Sequence, residues 1–302
     1  MSLVQITPRE PAAPRLPEWL RERKTNFPAV HELKTELRRL RLHTVCESAR
    51  CPNMHECFAR GAATFMILGN LCTRGCGFCS VPKGAPSKKA FSLDPGEPAN
   101  VARMAASLNL RYVVITSVNR DDLPDGGSGH FAQTVMEVRR ALPEARVEVL
   151  TPDFCGDMAA VARVLDAGPH VFNHNMETIA RLYRRVRPQA DYRQSLEVLA
   201  FAKRRRPDVL TKSGLMVGLG EKPEEVEGLL RDLRSSAVDV ATIGQYLQPS
   251  RRNLAVAGYI TPAQFDAYRD YGLSIGFKMT FSGPLVRSSY MAEHTAGQAL
   301  LG

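Results

Sequence analysis

Cys72, Cys76 and Cys79 stand within ten residues of each other in the stretch LCTRGCGFCS, spaced C-x-x-x-C-x-x-C. Three thiolates so arranged can each reach a different iron of a four-iron cubane, which leaves one iron open to a further ligand. Gly75 and Gly77 suit a loop that must turn sharply and bring its backbone close to inorganic sulfide. The competing chemistry is a zinc knuckle, which closes with a fourth Cys or His. No such residue follows nearby, the next histidine being His130, so the pattern favours a cluster.

A second triplet, Cys46, Cys51 and Cys57, lies just upstream in CESARCPNMHEC and is again one ligand short of a closed site. The seventh cysteine, Cys155 in TPDFCGD, has no partner spacing and no assigned role. The stretch MSLVQITPREPAAPRLPEWLRERK has prolines and mixed charges where a signal peptide needs a continuous apolar segment, and its glutamates argue against a transit peptide. This predicts a cytoplasmic location, where six clustered cysteines are metal ligands before they are disulfides.

These thiols need a scaffold, and 302 residues at 44% hydrophobic content suffice for one large α/β domain. No apolar run approaches the roughly 20 residues of a membrane helix. HELKTELRRLRL places Leu33, Leu37 and Leu40 on one helical face. From residue 62 onward, strand-type runs alternate with helical periods. The strands are ATFMIL (63–68), RYVVITSV (111–118), RVEVLT (146–151), HVFNHN (170–175), VLTKSGLMVGL (209–219) and VDVATIGQYL (238–247). Helices are predicted at 97–108, 130–142, 158–167, 177–202 with a break, and 223–235. Six such units give a parallel sheet with helices outside it. No further unit is legible after the sixth strand, which predicts an incomplete (β/α)6 TIM-like barrel. A doubly wound open sheet is the competing fold, but no G-x-G-x-x-G follows the first strand. The Cys72–Cys79 loop then falls at the C-terminal mouth of the barrel. Residues 1–60 read as an N-terminal extension, 61–248 as the barrel and 249–302 as a C-terminal segment.

A cysteine loop of this spacing on the first turn of a six-strand barrel resembles the radical S-adenosylmethionine superfamily. Both triplets together, with TSVNRDDLPDGGSGHF, TPDF, FNHNMET, KSGLMVGLGE, GQYLQPS and SGPLVRSSY, resemble the lipoyl synthase family over roughly residues 19 to 292. The resemblance implies two 4Fe-4S clusters and S-adenosylmethionine as cofactors. The cluster on Cys72, Cys76 and Cys79 would take S-adenosylmethionine on its open iron, with Phe78 near the adenine. An auxiliary cluster would sit on Cys46, Cys51, Cys57 and a serine of RSSY, for which Ser289 is preferred over Ser288. Serine is a hard ligand among soft thiolates, so its iron is the most easily released. The implied activity is radical insertion of two sulfur atoms at C6 and C8 of a protein-bound octanoyl-lysine, the auxiliary cluster supplying the sulfur. Unactivated C–H bonds offer no acidic proton, so a cofactor radical is the reasonable route.

The implied partners are octanoylated lipoyl carrier domains, such as a 2-oxoacid dehydrogenase acyltransferase subunit or the glycine-cleavage H protein. A reductant such as flavodoxin or ferredoxin and an iron–sulfur repair or carrier protein complete them. In the superfamily, positions like Asn119 and Arg120 bind the methionine amino group, and positions like Asn173 and Glu177 the ribose. Lys212 and Gln245 are further candidates, and for all six the alternative is capping or core hydrogen bonding. DLPDGGSGH (122–130) is either an ordinary turn or a loop that closes over an acyl chain. His43, His55 and His174 read as hydrogen-bonding or packing residues.

The net charge of +9 favours an acidic partner, against the plainer reading that it keeps the protein soluble. RRVR (184–187) and KRRR (203–206) lie near helix ends, where cations also suit the dipole. Two other functions compete. A radical methylthiotransferase acting on tRNA would require further domains, and would show salt-sensitive RNA binding. A ferredoxin-like electron carrier or zinc module would have closed metal sites, whereas each triplet here is incomplete.

Overall fold

The computed structural model describes residues 16–20, 34–48, 53, 63–84 and 92–289, with the backbone alone for Cys46 and Ser48. Eight strands form one sheet: β1 (His43–Thr44), β2 (Ala63–Ile67), β3 (Tyr112–Ser117), β4 (Arg146–Leu150), β5 (Val171–Asn173), β6 (Leu210–Val217), β7 (Val240–Gln245) and β8 (Met279–Gly283). They follow each other in chain order across the sheet. β1 runs antiparallel to β2, and every later pair is parallel. The sheet curls but does not close, as an incomplete barrel requires.

Residues 34–39 are helical, and the α-helices with both ends among the described residues are α1 (Val45–Ser48), α2 (Glu97–Ser107), α3 (Ser128–Ala141), α4 (Met158–Asp166), α5 (Tyr183–Val186), α6 (Tyr192–Arg205), α7 (Pro223–Ser235) and α8 (Pro262–Ser274). α7 forms because Pro223 fits its first turn and Val226, Leu229, Leu230 and Leu233 make one buried stripe. At its start the Glu225 carboxylate accepts the Lys222 N–H at 2.8 Å. α4 and α6 are capped in the opposite sense, the N-cap carboxylates of Asp157 and Asp191 accepting N–H groups of the first turn from Ala159 and Ala160 and from Gln194. The expected break in 177–202 falls at Pro188, between α5 and α6.

The unit not legible in the sequence is α8 with β8, which adds a seventh parallel strand beside β7. α8 buries only Phe265, Tyr268 and Gly272, and most of β8 is partly exposed, so neither carries a strong apolar period. Inside the barrel, Tyr112, Val114, Val171, Leu210 and Val240 form an apolar plug. Above it lie buried polar side chains, and above those the mouth.

Candidate active site

The loop after β2 is gripped from several sides. Its Cys72 N–H donates to the Pro82 carbonyl at 2.9 Å, and Thr73 N–H and Oγ1 both donate to the Asn119 carbonyl at 3.1 Å. Gly77 N–H reaches the Val186 carbonyl at 2.9 Å, and Leu254 N–H returns a bond to the Gly77 carbonyl at 3.0 Å. Asn253 donates to the Cys79 carbonyl at 3.0 Å and Lys83 to the Cys76 carbonyl at 2.9 Å. A Cβ on Gly77 would meet Leu254 at 2.8 Å, so glycine is what permits this close approach.

Arg74, between the first two cysteines, is the main anchor. Its guanidinium forks onto Asp121 (2.7 and 2.9 Å) and onto Asp153 (2.9 and 2.6 Å), tying the loops after β2, β3 and β4 together. Burial alone would lower the Arg74 pKa, but the two carboxylates more than reverse that and raise it. Burial likewise pushes Asp153 up, and Arg74 overrides it, leaving the carboxyl at about 2. Cys155 is not isolated: its exposed Sγ lies 3.3 Å from Arg74 Nη2 and 3.3 Å from Asp121 Oδ1.

Cys72, Cys76 and Cys79 face a cavity of about 650 Å³ at the C-terminal ends of the strands. Desolvation raises the Cys76 thiol pKa and brings Cys79 to about 11, so metal binding must displace their protons. Among the described residues no three Cys, His, Asp or Glu side chains converge on one ion. Thiolates that each hold a separate iron of a cubane need no such convergence, so the loop fits a cluster.

Part of the cavity lining is polar and unsatisfied. Ser117 Oγ, Asn119 Oδ1, Thr151 Oγ1, His174 Nε2, Asn175 Oδ1 and Thr242 Oγ1 are buried with no hydrogen-bond partner among the described residues, and all six residues line the cavity. His174 Nδ1 lies 2.9 Å from the Thr151 carbonyl, which only accepts, so Nδ1 carries the proton and Nε2 is a bare acceptor. Burial, with Arg187 nearby, lowers the His174 pKa to about 4 and keeps the ring neutral. Burial raises the Glu177 pKa against the opposing pull of Arg187 and the Asn175 amide, which donates to it at 3.0 Å. Gly214 is part of this wall by necessity: a Cβ there would meet Thr242 Oγ1 at 2.7 Å and Asn175 Oδ1 at 2.8 Å. Such a set fits a polar ligand with hydroxyl and amine groups, as S-adenosylmethionine has.

At the far rim lie Val286, Arg287, Ser288 and Ser289. They reach it because Gly244 of β7 has no side chain; a Cβ there would run into the Val286 carbonyl. Asn53, between Cys51 and Cys57 in the chain, donates to the Leu285 carbonyl at 2.7 Å. Val45, next to Cys46, lines the same cavity. Cys51, Cys57 and His55 lie outside the described residues, as does the side chain of Cys46.

Comparison with known proteins identifies the scaffold. Residues 66–233 match the model of the radical SAM superfamily, and residues 5–51 that of the N-terminal domain of lipoyl synthase. A lipoyl synthase of Rubrobacter xylanophilus is 54% identical, covering 95% of this chain and 88% of the relative. One of Caldanaerobacter subterraneus subsp. tengcongensis is 54% identical over 92% of this chain and 96% of its own length. The chain belongs to the lipoyl synthase family of radical S-adenosylmethionine enzymes. Among solved structures, methylornithine synthase superposes with a TM-score of 0.54 at 15% identity, covering 86% of this chain and 83% of its own. That likeness concerns the fold alone.

Within this family member, the residues expected at the cofactor separate into two groups. Phe78, Asn119, Glu177 and Gln245 line the cavity. Gln245, however, spends its amide on the Val217, Tyr246 and Gly258 carbonyls and accepts the Ile260 N–H, so it holds the 246–260 loop in place. Arg120, Asn173 and Lys212 are not in the cavity wall. Arg120 forks onto Asp122 at 2.8 Å, and Asn173 and Lys212 both donate to Glu148 at 3.0 Å. Loop 122–130 is pinned by the Asp125 carboxylate, which accepts the Gly127 and Gly129 N–H groups at 2.9 Å, and does not line the cavity either. Sequence reasoning missed Ser117, Thr151, Asn175, Arg187 and Thr242, and read His174 as a hydrogen-bonding or packing residue without placing it at the cavity. Asn175 was the findable one, since FNHNMET offers two asparagines and the strand ends at the first.

Proposed function

We propose that this protein carries out the lipoyl synthase reaction: radical insertion of sulfur at C6 and C8 of an octanoyl chain attached to a lysine of a lipoyl carrier domain. One observation carries the reading. A single cavity runs from the three thiols of the CTRGCGFC loop to Ser288 and Ser289, and Asn53, which stands between Cys51 and Cys57 in the chain, bonds to Leu285 just before those serines.

Cys72, Cys76 and Cys79 would hold one 4Fe-4S cluster, and the unsatisfied wall from Asn119 to Thr242 would face S-adenosylmethionine. Together these groups supply a 5′-deoxyadenosyl radical that can take hydrogen from an unactivated carbon. The protein's own residues position and shield. Arg74 fixes the thiol loop, Gly214 leaves room for the Thr242 and Asn175 side chains, and Met66, Val118, Leu150 and Leu215 would give the acyl chain an apolar, water-poor passage. Ser289, with Cys46, Cys51 and Cys57, would hold the auxiliary cluster that is consumed as sulfur donor, and one hard oxygen ligand suits release of iron. The reaction calls for a one-electron reductant and an iron–sulfur repair protein, and it fits a cytoplasmic enzyme. Among the described residues no helix is long and apolar enough to cross a membrane.

The test is anaerobic. Protein reconstituted with iron and sulfide is given dithionite, S-adenosylmethionine and an octanoyl-lysine peptide, and products are read by mass spectrometry. A peptide gaining two sulfurs, with 5′-deoxyadenosine and loss of iron, is expected. Deoxyadenosine without sulfur in the peptide would move the substrate elsewhere, and neither product would sink the radical reading.

A further inference from the structure

The thiol loop is overlaid by two other segments. Residues 183–190 meet it through the Val186 carbonyl and Gln189, which accept the Gly77 and Gly75 N–H groups at 2.9 and 3.0 Å. Residues 247–260 meet it through Asn253 and Leu254. Segments 72–84, 183–190 and 247–260 contain no Asp or Glu at all. They expose Lys83, Arg184, Arg185, Arg251 and Arg252. Among the described residues none of these five cations is in an ion pair, whereas exposed Arg181, Arg204 and Arg205 each hold a carboxylate. The four arginines of the collar are also absent from the cavity wall.

We propose that this collar is the docking surface of an acidic one-electron carrier protein, an inference that rests on the radical chemistry given above. The carrier's reduced cofactor gives up one electron, the cluster on Cys72, Cys76 and Cys79 accepts it, and no atom moves. Uncompensated positive charge on the loop and on the two segments bonded to it steers an acidic partner to the part of the surface that borders the thiol loop. A substrate carrier instead has to deliver its lysyl arm into the cavity, whose wall these arginines do not form.

The experiment uses the reconstituted protein and its variant Arg184→Glu/Arg185→Glu/Arg251→Glu/Arg252→Glu, with reduced flavodoxin as the acidic probe. Flavodoxin should bind the unaltered protein less tightly as salt rises, and the variant should bind on the order of tenfold or more weakly. Deoxyadenosine formation driven by flavodoxin should fall in parallel, while that driven by dithionite stays within about twofold. Unchanged flavodoxin binding overturns the proposal. So does an equal loss with dithionite, which would make the arginines part of the loop's support. Weakened binding of an octanoylated carrier domain with flavodoxin binding intact also overturns it, giving the collar to the substrate. If the unaltered protein makes no deoxyadenosine even with dithionite, the functional reading has failed, and the binding arm still decides the collar.

Discussion

Glu148 and His174 stand on the inner wall of the same barrel, yet their neighbourhoods are opposites. Around Glu148, polar groups are largely spent on each other: Lys212 donates to both carboxylate oxygens at 3.0 and 3.1 Å, Asn173 at 3.0 Å and Tyr112 at 2.7 Å, and of these groups Asn173 Oδ1 is left without a partner among the described residues. Around His174, six cavity-lining side chains each keep an atom with no partner. An unmade buried hydrogen bond costs about 1–3 kcal/mol, so one would be an accident. Six on one wall mark a surface whose partners arrive with the ligand. The layer whose charges are paired is architecture, and the one that gathers six unpaired atoms along a cavity is function. The contrast yields an asymmetry: damage below should cost stability, and damage above should cost affinity.

The sharpest break is Glu148→Ala. It strands the Lys212 ammonium, 1% exposed, with no counter-charge. Unfolding free energy should drop by about 3–5 kcal/mol, measured by urea titration, because an uncompensated buried charge remains. Adding Lys212→Met should recover much of the loss, since an apolar isostere removes the stranded charge. Failure of the second change to rescue would show that the pair does more than hold the layer together.

The next effect is pH-dependent and belongs to the upper layer. His174 has its folded pKa lowered to about 4 by burial, against the ordinary 6.5. Below pH 6.5 the unfolded chain therefore binds the proton and the folded one does not. Stability should fall as pH drops from 6.5 towards 4, by at most about 3 kcal/mol from this residue. His174→Gln should flatten that part of the profile. An unchanged slope would mean that the ring is solvated enough to protonate in place.

The two layers also explain what the sequence made readable. Six strands and the cysteine loop at the mouth follow from local period and spacing, whereas the serines near the end are singled out by the family resemblance alone. α8 and β8 do not, because their apolar faces are thin. Lys212 and Asn173 were reasonable candidates, being polar residues on barrel strands. Only the fold reveals that Glu148, on a different strand, has already claimed them. Asn175 and Thr242 become conspicuous for the converse reason, since a missing partner is a three-dimensional fact. The weight on Arg74 was hidden in the same way, because Asp121 and Asp153 lie on two other loops.

Asn175→Ala should weaken S-adenosylmethionine binding by about tenfold, which corresponds to about one hydrogen bond lost to the ligand. Its stability cost should be no more than about 1 kcal/mol, since the only side-chain donation lost is to Glu177, at the edge of the cavity. Equilibrium dialysis of the reconstituted protein against S-adenosylmethionine measures the first quantity and a thermal melt the second. A large loss of stability with normal affinity would place Asn175 in the lower layer's class.

Thr242→Val is the smallest change and the cleanest discriminator. Valine has nearly the shape of threonine, so packing beside Gly214 is kept and only Oγ1, which has no partner, is replaced. In the ligand-free protein nothing paired is lost, and removing a polar atom that burial strips of water should leave stability equal or slightly higher. With S-adenosylmethionine, affinity should fall a few-fold, roughly 0.5–1.5 kcal/mol, if that hydroxyl meets the ligand. The opposite signs matter more than the sizes. Removing a paired group of the Glu148 layer, such as Lys212 Nζ or Tyr112 Oη, must cost stability, whereas Thr242 should lose affinity alone. A valine variant that binds normally and melts lower would show that its hydroxyl is satisfied from within the barrel, and the boundary between the two layers would have to be drawn above Thr242.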